Sequence, residues 1–120
     1  MQDNLDRFHF RIWCKAPKKV MYGNAITTIE CAMQYKNDYI LMQSTGLKDN
    51  NGKLIFEGDI ITFTDLSIPF KKASIYFEKG CFYADDKNPV GNISLRYLVD
   101  NKRDVEIIGN IYDNPELLTN

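Results

Sequence analysis

Nucleophilic chemistry would need a cysteine beside a histidine, and the sequence offers Cys14, Cys31 and Cys81 with His9 as its single histidine. The three thiols are widely spaced and odd in number, so they make neither a CxxC zinc or redox motif nor a secreted disulfide framework. They are expected to be buried free cysteines acting as small hydrophobes. Acid–base or metal chemistry would need paired carboxylates, and Glu57 and Asp59 flank Gly58 at a spacing that could serve a divalent cation or an acid/base couple. An aspartate that follows glycine at a strand start more often caps backbone N–H groups in a corner, which is the role expected of Asp59. Asp85, Asp86 and Asp113 lack the DxDxDG spacing of a calcium loop. The run from Thr45 to Lys53 has the glycines and lysines of a phosphate cradle but neither the GKS/T ending nor a following helix. No catalytic, metal or cofactor-binding residue is assigned on these patterns.

Binding is better served. Tyr22, Tyr35, Tyr39, Phe82, Tyr83 and Tyr97 interleave with Lys18, Lys19, Lys36, Lys71, Lys72, Arg96 and Arg103, the composition by which small barrels hold single-stranded nucleic acid. Fifteen basic against sixteen acidic residues leave a net charge of -1 and no global field for a phosphate backbone. Aromatics at strand spacing also pair across strands or fill cores. Nucleic acid is therefore the alternative, and a protein partner the first reading. Trp13, the sole tryptophan, falls on the polar side of its strand and is either an interface anchor or the closure of a second core face.

The elements that must position these residues read mostly as short strands. Phe8, Phe10 and Ile12 alternate with His9, Arg11 and Trp13, which predicts one buried face and one polar face. A turn at Ala16-Pro17-Lys18-Lys19 and a return through Val20-Met21-Tyr22 make an N-terminal β-ribbon. Ala25 to Tyr35 fits a strand or a short helix, and its threonines and isoleucine favour strand. Tyr39 to Gln43 predicts a buried central strand, and Ser44 to Lys53 an ordered loop closed by Asn51-Gly52 as a type I′ turn. Gly58 sits at a bend between Leu54-Ile55-Phe56 and Ile60 to Thr64, where a Cβ would be out of place. Asp65 to Lys72 is a connector, Ala73 to Phe77 and Cys81 to Ala84 form a hairpin, and Asp85 to Asn92 is polar. Ile93 to Val99 is a short helix capped by Asn92 or a further strand, Val105 to Ile108 a strand, and Asn114-Pro115 opens a final helical turn.

One domain spanning residues 1–120 is expected, since 120 residues with 44% hydrophobic and 26% charged residues match an ordinary globular domain without a linker. The N-terminus MQDNLDRF carries acid and no apolar run, and no window approaches the ~18 apolar residues of a spanning helix. A cytoplasmic protein with no membrane role is expected.

The run Leu41-Met42-Gln43-Ser44-Thr45-Gly46-Leu47-Lys48-Asp49-Asn50-Asn51-Gly52-Lys53-Leu54-Ile55-Phe56-Glu57-Gly58-Asp59-Ile60 resembles the signature of the YopX family of phage and prophage proteins. Phe10-Arg11-Ile12-Trp13 with Met21-Tyr22, and Val105 through Leu118, agree with the same family, and the chain departs from it at Cys14 and Ser44. The resemblance implies a mainly β fold: a small SH3-like barrel elaborated with an N-terminal β-ribbon and at most one or two short helices. It also implies phage or prophage origin, the cytoplasm of a bacterial host and self-association, and it carries no established activity. The expected function is a non-enzymatic accessory protein that forms a homo-oligomer and binds a protein partner. The alternative is a nucleic-acid-binding small barrel of phage DNA replication or regulation. Structural or interface roles are expected for the motif residues Trp13, Thr45, Gly46, Leu47, Asp49, Gly52, Glu57, Gly58, Asp59, Gly109, Asn110, Tyr112, Asn114 and Pro115.

Overall fold

Two antiparallel sheets organise the protein in a computed structural model that describes residues 6–64, 71–85 and 92–118. In the first, β1 (Phe10–Cys14) lies between β2 (Lys19–Tyr22) and β3 (Tyr39–Lys48), with β4 (Leu54–Phe56) beyond β3. The expected ribbon is β1 with β2, paired from Arg11 with Tyr22 to Cys14 with Lys19, and β3 is central as its apolar run predicts. In the second sheet, β5 (Asp59–Phe63) is flanked by β6 (Lys71–Glu78) and β9 (Glu106–Asn110), with β7 (Cys81–Asp85) and β8 (Ile93–Ser94) continuing past β6. The first strand of this unit thus pairs with both its second and its fifth, and a short helix, α2 (Leu95–Asp100), joins fourth to fifth. That is the expected SH3-like connectivity in a half-closed barrel. Ile55, Ile61, Phe63, Ile75, Leu95, Leu98 and Val105 fill it.

Several local expectations are corrected. Ala25–Gln34 is a helix, α1, and not a strand. Asn24 caps it by accepting Thr27 N–H at 2.9 Å, and Thr28 with Ala32, four residues on, gives it a small buried stripe. Capping and close packing outweigh the strand preference of its β-branched residues. The loop expected from Ser44 is strand as far as Lys48, because a register shift against β4 and Gly46 at φ 79° absorb the irregularity as a bulge. Of Asn51-Gly52 only Gly52 has a positive φ, 80°, so this is not a type I′ turn. The consecutive positive angles occur at Lys79 and Gly80, 49° and 82°, which close the hairpin of β6 and β7. Ser94 caps α2 in place of Asn92. Phe8 lies in a 3-10 turn (Asp6–Phe8) and is half exposed, whereas Arg11, expected on the polar side, is buried. Asp86 and most of the connector, Asp65 to Phe70, lie outside the described residues.

Candidate functional site

Alternation along β1 sends Arg11 and Trp13 to one face, where both meet the barrel. Trp13, half-buried, stacks on Tyr112 with ring centroids 5.4 Å apart. Arg11 enters further. Its Nη2 donates to Asp59 Oδ1 at 2.8 Å and to the Glu57 carbonyl at 3.1 Å, its Nη1 donates to Tyr22 Oη at 3.2 Å, and its guanidinium lies 4.7 Å over the Phe56 ring. The pair is sealed from water, with the two side chains only 4% and 3% exposed. Asp59 Oδ2 accepts Phe56 N–H at 2.7 Å, the corner cap its position predicts. Burial pushes the Asp59 carboxyl above its ordinary 3.8, against the opposing pull of Arg11 and of the Phe56 N–H. A recess of about 230 Å³ opens beside the pair, lined by Arg11, Tyr22, Lys53, Leu54, Phe56, Asp59 and Ile107.

The carboxylates flanking Gly58 do not form a couple. Glu57 Oε1 accepts Gln43 N–H at 2.9 Å on β3, while Asp59 faces Arg11. Between them Gly58 holds φ 84°, donates to Ile75 O and accepts from Ile111 N, and a Cβ there would stand 3.0 Å from Met42 Sδ. Asp49 braces its turn onto the barrel: Oδ1 accepts Asn51 and Lys53 N–H, and Oδ2 accepts Ile107 N–H at 3.1 Å. Thr45 Oγ1 accepts Leu47 N–H, Leu47 packs on the barrel core, and Gly46 and Gly52 supply the positive φ angles on either side of Asp49. At the far end Asn110 Oδ1 accepts Tyr112 and Asp113 N–H, and Asn114 Oδ1 accepts Asn110 N–H. Gly109 leaves room for that contact, since a Cβ would lie 2.5 Å from Asn114 Oδ1, and Pro115 begins the last 3-10 turn. Apart from Trp13, which stacks on Tyr112, the motif residues therefore gather at three braces, at 45–52, 57–59 and 109–115.

Arg11 is the site residue that sequence reasoning missed. Its partner lies 48 residues away, and alternation with Phe10 and Ile12 reads as a polar face. Cys14 is buried, its Sγ donating to Ala16 O at 3.0 Å, and Cys31 is partly buried, but Cys81 is exposed, contrary to expectation. Of the proposed nucleic-acid aromatics, Tyr39 meets Tyr35, Tyr83 stacks on Tyr76 and Phe82 meets Phe77, each as an internal pair. Among the described residues no three of His, Cys, Asp and Glu converge where a metal could sit, and no helix is long and apolar enough to cross a membrane.

The YopX protein family matches residues 13–119. The crystal structure of protein EF1440 from Enterococcus faecalis is similar over 92% of this chain and 96% of that one, with 26% identity and a TM-score of 0.65. A search of the curated proteins finds no match.

Proposed function

The chain belongs to the YopX family, and from that premise we propose that it is a non-enzymatic phage or prophage accessory protein of the bacterial cytoplasm. In this reading it assembles with itself and acts by holding a protein partner. The observation that carries the reading is where apolar surface collects. Of the nine large hydrophobic side chains exposed among the described residues, five are Met21, Tyr22, Ile26, Met33 and Tyr35, within a fifteen-residue stretch. Exposed large apolar side chains concentrated in one stretch of chain mark contact with another chain more often than singly scattered ones do. The stretch also contains β2, the edge strand of the first sheet, whose outer backbone groups are free to pair. Sedimentation equilibrium at micromolar concentration tests this: assemblies heavier than 13.9 kDa that persist in high salt are expected.

A second reading has its own observation. Exposed Lys18 and Lys19 lie four and three residues before the exposed Tyr22, and exposed Lys36 follows the exposed Tyr35, the mix of cation and ring that single strands use. Oligonucleotide binding that falls steeply as salt rises would favour it, because phosphate contacts release counterions.

A further inference from the structure

We propose that the recess beside Arg11 is a carboxylate-binding site for a monoanion with a small apolar body. The balance of donors and acceptors around it decides the ligand chemistry. Arg11 carries five N–H donors, and it meets three acceptors: Asp59 Oδ1, the Glu57 carbonyl and Tyr22 Oη. Its Nε is buried and unpartnered. Tyr22 Oη accepts from Nη1, which leaves the phenolic hydrogen to donate outward, and Tyr22 is two-thirds exposed. Lys53 adds an ammonium that has no ion-pair partner among the described residues, close enough for its charge to act on Asp59. On the acceptor side both Asp59 oxygens are engaged, by Arg11 and by Phe56 N–H, and the Glu57 carboxylate is turned to Gln43 N–H.

The recess thus offers the Lys53 ammonium and the Tyr22 hydroxyl as donors, two cations against one carboxylate, and walls of Leu54, Phe56 and Ile107. An acceptor with one negative charge completes it. A dianionic phosphate would set its second charge against Asp59 at low dielectric, where like charges repel strongly. At about 230 Å³ the space is below the roughly 300–1,000 Å³ of drug-sized pockets, so it suits one small group. The carboxylate oxygens would take the Lys53 ammonium and the Tyr22 hydroxyl, and the apolar body would lie along Leu54 and Ile107. Either a free small acid or an acidic side chain of a second copy presents this group, and the site does not require the assembly proposed above.

The test is an amide and arginine side-chain NMR titration of the full chain at low protein concentration, using benzoate, benzamide and inorganic phosphate. Saturable shifts at Lys53, Leu54 and the Arg11 Nε–H with benzoate are expected, with phosphate weaker and neutral benzamide inert. Lys53→Met should weaken benzoate about tenfold, the scale of one charge-assisted hydrogen bond, and Lys53→Arg should restore it. Tyr22→Phe should weaken it less. The same resonances shifting with protein concentration alone would identify a second copy as the source. Benzamide matching benzoate, phosphate binding more tightly, an unaltered Lys53→Met titration, or no shift from either benzoate or concentration would each overturn the proposal.

Discussion

Arg11 and Asp59 are each more than nine-tenths buried, so neither can lose the other without leaving a charge in low dielectric. Asp59→Ala, which removes the acceptors of Arg11 Nη2 and of the Phe56 N–H together and leaves a void, is expected to lower stability by about 3–5 kcal/mol. Arg11→Met leaves the carboxylate, which has a remedy the guanidinium lacks: it can take a proton. Because the folded-state pKa of Asp59 is raised above 3.8, the group's contribution is fully present below that value. It is lost as pH rises through the folded pKa. Removing Arg11 removes the principal influence holding that pKa down, so the loss in Arg11→Met should extend to higher pH and its destabilisation should shrink towards acid. Urea midpoints across pH for the wild type and both variants check this, and Asp59→Ala should lack the segment altogether. The two halves of the pair differ in legibility for one reason. The cap on Phe56 lies three residues from Asp59 and can be read locally, whereas the ion pair is 48 residues long-range and waits on the docking of two sheets.

Short elements were legible wherever turn chemistry and period agreed. The hairpin of β6 and β7 follows directly from its alternation, and the corner at Gly58 from a glycine between two apolar runs. α1 was not, because Thr27, Thr28 and Ile29 speak for strand while the deciding feature, a small buried stripe at Thr28 and Ala32, exists only once β1 and β3 are in place. The corner carries a prediction: Gly58→Ala meets both a φ of 84° and Met42 Sδ at 3.0 Å. It should therefore cost about 1–3 kcal/mol, read as a fall in Tm. The β6–β7 turn carries the opposite one. Lys79 holds φ 49° ahead of Gly80, a position asparagine occupies with less strain. Lys79→Asn should therefore raise stability by about 0.5 kcal/mol, visible as a higher denaturation midpoint.

For the whole molecule, the half-closed barrel satisfies its own core, the braces at 45–52 and 57–59 tie the first sheet to it through hydrogen bonds, and the brace at 109–115 holds Tyr112 against Trp13. What stays outward is the segment from β2 through α1. The mainly β class was legible because strand-length apolar runs recur, but an outward apolar face on α1 was not, since a segment read as strand has no helical face. Trp13 gives way to α1 as the expected assembly contact. It is half-buried against Tyr112, so Trp13→Ala should lower Tm and leave the sedimenting mass unchanged. Ile26 and Met33 are 74% and 73% exposed and seven residues apart, hence on one face of α1. Glutamate at both positions costs little in the folded monomer, because no core contact is broken, yet it places two like charges where copies would meet. Ile26→Glu with Met33→Glu should reduce the assembly to a folded 13.9 kDa species with an unaltered circular dichroism spectrum. A wild type already monomeric at micromolar concentration would end the claim of self-assembly. An oligomer that survives both glutamates would move the interface to the open edge of β2, where proline at Val20, opposite Trp13 and with its N–H turned outward, would then be the decisive change, since it introduces a ring and removes an edge donor without breaking the β1–β2 ladder.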